Sequence, residues 1–277
     1  MLSGWHKNNM EKTEPLNNIL EIHNDPSQDE IWDLCVRNFL YDQKKYVDEI
    51  VALFERLGIT KESKIADVSA GGGFLALDLI GFGYKVDCFD AFASDLFNEN
   101  AKKQGRETTC KEILWKDIPN IITSEQYDFI FCRGNSFIFA GGGWTELTNF
   151  DMKKVQTDYS RVARIFADML KTGGHMYIDK FKDSELGHRE KLATIKVGNQ
   201  IQDLMFSSKR SPETKTRQVF MQRIVGNEVV NTETRITYDL LEKELVEFLK
   251  NGGFSNIEKI TPEISEEKHF DIWLARK

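Results

Sequence analysis

Two aspartates and a run of glycines are the residues whose types and spacing bear most directly on chemistry. Asp67 follows the apolar start of "KIADV", and Gly71, Gly72 and Gly73 come four to six residues later. Asp90 closes the next apolar run, "KVDCFD", 17 residues after Gly73. A backbone stripped of side chains lets a ligand approach the main chain, and a following helix offers N–H donors. A carboxylate at the end of the next strand is placed to accept from both hydroxyls of a ribose, so the pattern reads as a nucleoside site. Gly71-Gly72-Gly73-Phe74-Leu75-Ala76 satisfies the G-x-G-x-x-A fingerprint of dinucleotide turns. A carboxylate just ahead of the glycines repels a pyrophosphate, however, and suits a ligand carrying an ammonium and a sulfonium. S-adenosyl-L-methionine (SAM) is such a ligand. Both ligands are compatible with the turn; Asp67 favours SAM.

The elements that must position these residues follow from periodicity. Apolar residues recur at helical spacing from Ser27 to Leu57, giving two helices, the second ending near Gly58. Residues 1–26 are polar and read as a mobile tail. Then strands and helices alternate: "KIADV", "GFLALDLIGFG", "KVDCFDA", "SDLFNENAKKQG", "TTCKEILW", "YDFIFCRG", a long amphipathic helix from Asp151 stopped by Gly173-Gly174, and "HMYIDKF". Such alternation with short turns predicts a parallel sheet with helices on both faces. The pattern then changes to short alternating runs over about 186–238, a β-rich insert that serves as substrate cap or dimerisation surface. "LLEKELVEFLKNGG" reads as a helix, and "SNIEKIT" and "HFDIWLARK" as two strands completing the sheet. The expected organisation is a helical cap (1–58), a Rossmann-like core (59–185), the insert (186–238) and the closing helix and strands (239–277).

Bulk properties narrow the function. The chain has 277 residues, 40% hydrophobic and 29% charged, with 19 Phe, as a soluble globular protein with a large core would have. Its net charge is −7. Proteins that bind phosphate backbones carry a basic face. Here the one local cluster, "SSKRSPETKTR" at Ser207–Arg217, reads as a solvated hairpin or loop, so nucleic acid is not expected as a partner. Cys88 and Cys132 lie inside apolar runs and read as small buried hydrophobes. No Cys-x-x-Cys or His-x-x-x-His spacing points to a metal. No apolar run is long enough to span a bilayer, and the N-terminus lacks an apolar signal core, so a cytoplasmic protein without membrane contact is expected.

Four separated stretches, in order, resemble class I SAM-dependent methyltransferases, most closely the glycine and glycine/sarcosine N-methyltransferase group. "IADVSAGGG" resembles the first motif of that group, with Ser69 where Ala or Gly is usual. "GFGYKVDCFDAFASDLF" resembles the segment that sets an acid on the ribose. "EILWKD" resembles the stretch flanking the adenine, and "FIFCRGNSF" the strand that ends beside the methyl donor. The resemblance implies SAM as cofactor, with Asp67, Ser69, Ala70, Gly71, Gly73, Asp90, Ala91, Leu114, Trp115, Cys132 and Arg133 around it. It places Asn135 at the reacting end; Tyr238 is a second catalytic candidate by its position before the last helix. It also implies a small-molecule acceptor and is compatible with a homo-oligomer.

The departures concern the acceptor. Lys180-Phe181-Lys182-Asp183 stands where members using glycine carry H-R-N-Y-D, Phe139 replaces a histidine, and no arginine matches the one lent to the SAM carboxylate, leaving Lys44 or Lys45 for that task. Trp144, Tyr177 and Lys180 are further pocket candidates, and the Gly141–Gly143 loop is a candidate lid. The expected reaction is N-methylation of an amine or amino acid. O-methylation, a nicotinamide-dependent oxidoreductase using the same turn, and a non-catalytic SAM-binding protein are the alternatives.

Overall fold

The computed structural model describes residues 19–22, 25–141, 151–183, 187–260, 264 and 270–277. Strand β5 (Tyr127–Cys132) shows why a parallel sheet forms. Phe129 and Phe131 point into one core, Ile130 and Cys132 into another, so both faces must be covered by helices. Its neighbours are β2 (Lys64–Asp67), β3 (Lys85–Asp90) and β4 (Cys110–Glu112) on one side. On the other lie β6 (Leu170–Phe181), β12 (Phe270–Arg276) and β11 (Asn256–Lys259). The order is β11-β12-β6-β5-β2-β3-β4, parallel except at β12. The chain walks outward from β2 to β4, then crosses back to β5. The order therefore reverses between β2 and β5, where open α/β sheets bind ligands beyond the strands' carboxyl ends.

Helices α2 (Gln43–Leu57), α3 (Ala76–Gly81) and α4 (Ser94–Lys103) cover one face, and α5 (Met152–Met169) and α6 (Glu242–Gly252) the other. Helix α1 (Gln28–Cys35) is started by a capping box in which Ser27 and Glu30 bond reciprocally. A π-turn, Val36–Leu40, continues it. Between β6 and α6 a separate antiparallel sheet is built from β7 (Gly187–Val197), β8 (Gln200–Ser211), β9 (Thr216–Val225) and β10 (Glu228–Tyr238).

Several elements differ from the periodicity reading. Residues Leu20–Ile22, expected in a mobile tail, form β1, which pairs parallel to β7. Helix α3 starts only at Ala76, because positive φ at Gly71, Gly73 and Leu75 keeps the preceding segment a turn. The third strand stops at Glu112; Trp115–Asn120 is a 3-10 turn containing Pro119. Helix α5 ends at Met169, where Leu170 turns extended and enters β6 directly, so Gly173-Gly174 lie within the strand. The basic cluster at Ser207–Arg217 is not wholly solvated: Arg217 is buried, and both Arg210 and Arg217 pair with buried Asp239. All four cysteines are free and buried. Among the described residues no helix is long and apolar enough to cross a membrane.

Candidate cofactor and acceptor site

The turn after β2 is wired to its own chain. Asp67 accepts the Ser69 N–H (3.1 Å), and Asp90 accepts the Gly71 N–H (2.9 Å). The Ala70 N–H goes to the Phe89 carbonyl, and the Gly73 N–H to the Ala70 carbonyl. The second oxygen of Asp90 accepts from Phe92 and Ala93, both at 2.9 Å, which fixes the carboxylate between the turn and the loop after β3. At Gly71, with φ +51°, an added Cβ would meet nothing within 4 Å. At Gly72 it would meet Asp33 Oδ1 at 2.2 Å, because α1 lies directly on the turn. Arg37 Nη2 (2.6 Å) and Asn100 Nδ2 (2.8 Å) both donate to the Gly72 carbonyl, and Asp33 in turn accepts from Arg37 and Asn100.

The β5 tip forms the second side of the site. Asp179 on β6, buried, accepts the N–H groups of Gly134 (2.9 Å) and Asn135 (2.6 Å). Asn135 adopts φ +59°, a left-handed conformation that Asn tolerates better than most residues, and its Oδ1 accepts the Phe181 N–H (3.2 Å). Arg133 is tied to the turn through Ser69, whose Oγ accepts its N–H at 2.9 Å. The Arg133 guanidinium lies over the rings of Tyr46 (4.9 Å) and Phe74 (5.1 Å), with Nε donating to the Tyr46 hydroxyl.

These two tips open into one cavity of about 670 Å³. The cofactor candidates Ser69, Ala70, Gly71, Asp90, Ala91, Leu114, Trp115 and Arg133 line it, as does Asn135. The Trp115 indole is fixed by donation to the Val68 carbonyl (2.6 Å). Asp67, Gly73, Cys132 and Tyr238 are not on this wall. Asp67 is buried beneath the turn, and burial pushes its carboxyl up to about 6 although Arg133 pulls the other way. Cys132 is fully buried, and the lack of solvation pushes its thiol well up. Tyr238 is buried and donates to Glu244 (2.8 Å); burial and Glu244 raise its phenol. Tyr177 bonds the Tyr46 hydroxyl away from the cavity, and Lys180, its pKa lowered by burial, donates to Asp183 and the Phe181 carbonyl. Lys44 and Lys45 point along α2 at Asp48 and Glu49 and do not reach the site. Trp144, Gly142 and Gly143 lie outside the described residues. Phe139 lines the cavity where the resemblance has a histidine.

Much of the wall is supplied by residues the sequence did not single out. Asp29, Trp32 and Asp33 come from α1, Phe206, Val219, Met221, Glu233 and Arg235 from the second sheet, and Phe181 and Phe270 from the paired ends of β6 and β12 in the seven-stranded sheet. The only sequence signal for them was the alternation in the insert, which puts Glu233, Arg235 and Thr237 on one face.

The walls fit SAM as a ligand. The Asp90 carboxylate, the apolar Ala91, Leu114 and Ile138 and the open space over Gly71 share one cavity, a set of groups compatible with an uncharged ribose and a flat base. No protein-family model and no curated protein matches the chain. Solved structures do. A SAM-dependent methyltransferase from Clostridium acetobutylicum matches at 15% identity and a TM-score of 0.62, over 89% of this chain and 96% of that one. The SAM-bound amino pentose methyltransferase from Micromonospora echinaspora matches at 10% and 0.62, over 92% and 99%. The sugar N-methyltransferase from a Streptoalloteichus species matches at 12% and 0.60, over 98% and 99%. The chain thus has the fold of solved SAM-dependent methyltransferases, with a mostly parallel seven-stranded sheet and a second, antiparallel sheet inserted after β6.

Proposed function

We propose that this protein is a SAM-dependent methyltransferase that N-methylates a small-molecule amine. The observation that carries the reading is the wiring of the glycine turn. The N–H groups of Ser69, Ala70, Gly71 and Gly73 are spent on two aspartates and on main-chain carbonyls. A pyrophosphate needs such donors converging on open space. Here it would meet the Asp90 carboxylate, with Asp67 close behind. A nucleoside without phosphates, carrying positive charge, meets no such penalty. The likeness in fold to structures described as sugar and amino pentose methyltransferases supports the same reaction class.

Asp90 would hold the ribose, Ala91, Leu114 and Trp115 the adenine, and Arg133 the carboxylate end. Bound there, SAM supplies a methyl carbon on a sulfonium: an acceptor lone pair forms the new bond while the carbon–sulfur pair returns to sulfur. The chain's task is alignment, which supplies up to roughly 7–11 kcal/mol in well-oriented reactions. Asn135, held by Asp179 and Phe181, would orient an acceptor at the β5 tip. An amine needs a free lone pair more than a dedicated base. An alkylamine near pKa 10.4 costs about 5 kcal/mol to bind neutral at pH 7, and an apolar wall lowers that cost.

Calorimetry with SAM, its demethylated product and NADH tests the reading. Micromolar binding of SAM or the product, without NADH binding, is expected. A folded protein that binds neither rejects it, and NADH binding in their place returns the turn to a nicotinamide enzyme.

A further inference from the structure

The part of the cavity away from the glycine turn has a composition of its own. Four rings run across it from three different layers: Trp32 to Phe206 at 6.2 Å, Phe206 to Phe181 at 6.1 Å, and Phe181 to Phe270 at 4.9 Å between centroids. The second sheet continues that surface. Phe206 on β8 faces Met221 on β9, and Met221 faces Glu233 on β10; one rung on, Val219 faces Arg235. The sheet face over the cavity therefore grades from apolar to charged within three strands. At its charged margin Arg235 is bracketed by carboxylates, Glu233 beside it on β10 and Asp29 of α1 at 3.6 Å. The three groups sum to one negative charge. A carboxylate offered to Arg235 must displace an existing partner, whereas an ammonium adds to an unbalanced pair. Lys154 on α5, also on the wall, is already paired with Asp158 at 2.6 Å.

We infer that the acceptor carries an ammonium on a flat or cyclic apolar body: the ring rests against Trp32, Phe206 and Met221, the ammonium faces Glu233 and Asp29 as a recognition group, and the opposite end of the body is left to present the methyl-accepting nitrogen at the β5 tip. An amino acid such as glycine fills none of the apolar surface and brings a carboxylate to a negative margin. Burying one ring-sized body on such a wall raises affinity roughly ten- to hundredfold. This inference rests on the SAM reading of the same cavity.

The test is a binding measurement that needs no turnover. The demethylated product of SAM is titrated first by calorimetry; the saturated protein is then titrated with ring amines (tryptamine, phenethylamine, cyclohexylmethylamine), with the matched acid indole-3-propionate, and with glycine. At least one ring amine is expected to bind tenfold or more tighter than both the acid and glycine. Trp32→Ala and, as an independent variant, Phe206→Leu should weaken that amine at least fivefold while moving the product's affinity less than twofold; retained product binding reports the fold. Glu233→Gln should shrink the amine-over-acid preference at least threefold. Product binding with no ring amine ahead of glycine, or with the acid ahead, overturns the inference and leaves the SAM reading standing. Failure to bind the product overturns both.

Discussion

Asp67 and Asp90 are similar residues in different surroundings, and the difference predicts different behaviour. Asp90 lies on the cavity wall; Asp67 is sealed below it, with its carboxyl pushed up to about 6 by burial. Because the folded value lies above the unfolded value of 3.8, the protonated form is the one folding favours. Stability from this group is therefore greatest below about pH 4 and declines as pH rises to about 6, by about 3 kcal/mol at most, a shift of about two units at 1.36 kcal/mol each. Urea melts of wild type and Asp67→Asn across that window should show the slope in wild type and its absence in the variant. SAM affinity should run the opposite way, rising as the carboxylate appears through pH 6, if Asp67 helps hold the ligand's positive charge. Asp90→Ala removes the acceptor proposed for the ribose and frees the Gly71, Phe92 and Ala93 N–H groups. Charged hydrogen bonds are worth about 1.5–3 kcal/mol, so calorimetry should find SAM bound at least tenfold more weakly. Both aspartates were legible in the sequence because residue type and spacing to the glycines define them. Asp33 and Asp179 were not: Asp33 steadies the turn only through the side chains of Arg37 and Asn100, which donate to the Gly72 carbonyl, and Asp179 holds the Gly134 N–H across 45 positions.

Helix α1 joins the two halves of the site. Ile31 and Cys35, four residues apart, pack into the core of the second sheet with Leu204 and Phe206. Asp33 accepts from Arg37, four residues on in the π-turn, and Arg37 in turn donates to the Gly72 carbonyl, which clamps the glycine turn. Asp29, Trp32 and Asp33 line the cavity. Any change at Gly72 is therefore felt at the acceptor wall. In Gly72→Ala the new methyl would lie 2.2 Å from Asp33 Oδ1 and 2.5 Å from its Cγ, distances no real contact sustains. Such overpacking costs about 1–3 kcal/mol. The expected result is that loss in a urea melt, together with weaker binding of both SAM and acceptor; a stable variant with both affinities intact would mean that α1 does not transmit between the sites. The helices and strands themselves were legible wherever both periodicity and stop signals agreed, as in α2 ending before Gly58. They were misread where backbone conformation outweighed composition: Leu75, apolar and suited to a helix, takes φ +68° and delays α3, and β1 finds its place through pairing with a strand about 175 residues away. That α1 would lie on the turn is a tertiary fact that no local pattern encodes.

Across the whole molecule, what remains to be held is the second sheet, which must stay registered over the strand ends for the acceptor wall to exist. Two kinds of attachment do this. One is the small apolar core shared with α1. The other is ionic: Asp239, at the exit of β10, accepts from Arg210 on β8 (2.7 Å) and from Arg217 on β9 (3.3 Å), with all three side chains at least nine-tenths buried. Arg210 also donates to the Asp183 carbonyl, Asp183 receives the buried Lys180, and Arg217 lies 5.1 Å from the centre of the Phe181 ring. The cluster thus runs from the sheet's three strands to the end of β6. The sequence displayed these arginines as a basic patch because their counter-charge lies 22 residues or more away in the chain. A buried ion pair adds little net stability against an apolar replacement, but removing one partner costs about 3–5 kcal/mol because a charge is left unpaired. Asp239→Asn leaves two arginines sharing no carboxylate and should lose at least about 3 kcal/mol in a urea melt. The loss should be selective in function. The glycine turn, Asp90 and Trp115 belong to the seven-stranded layer, so affinity for the demethylated product of SAM should change by less than about threefold, a difference below 1 kcal/mol. Acceptor binding, for which we propose Phe206, Met221 and Glu233, should fall at least tenfold. Equal losses at both ligands would show the two layers to be one cooperative unit, and a loss under about 1 kcal/mol would show that the apolar core with α1 holds the second sheet unaided.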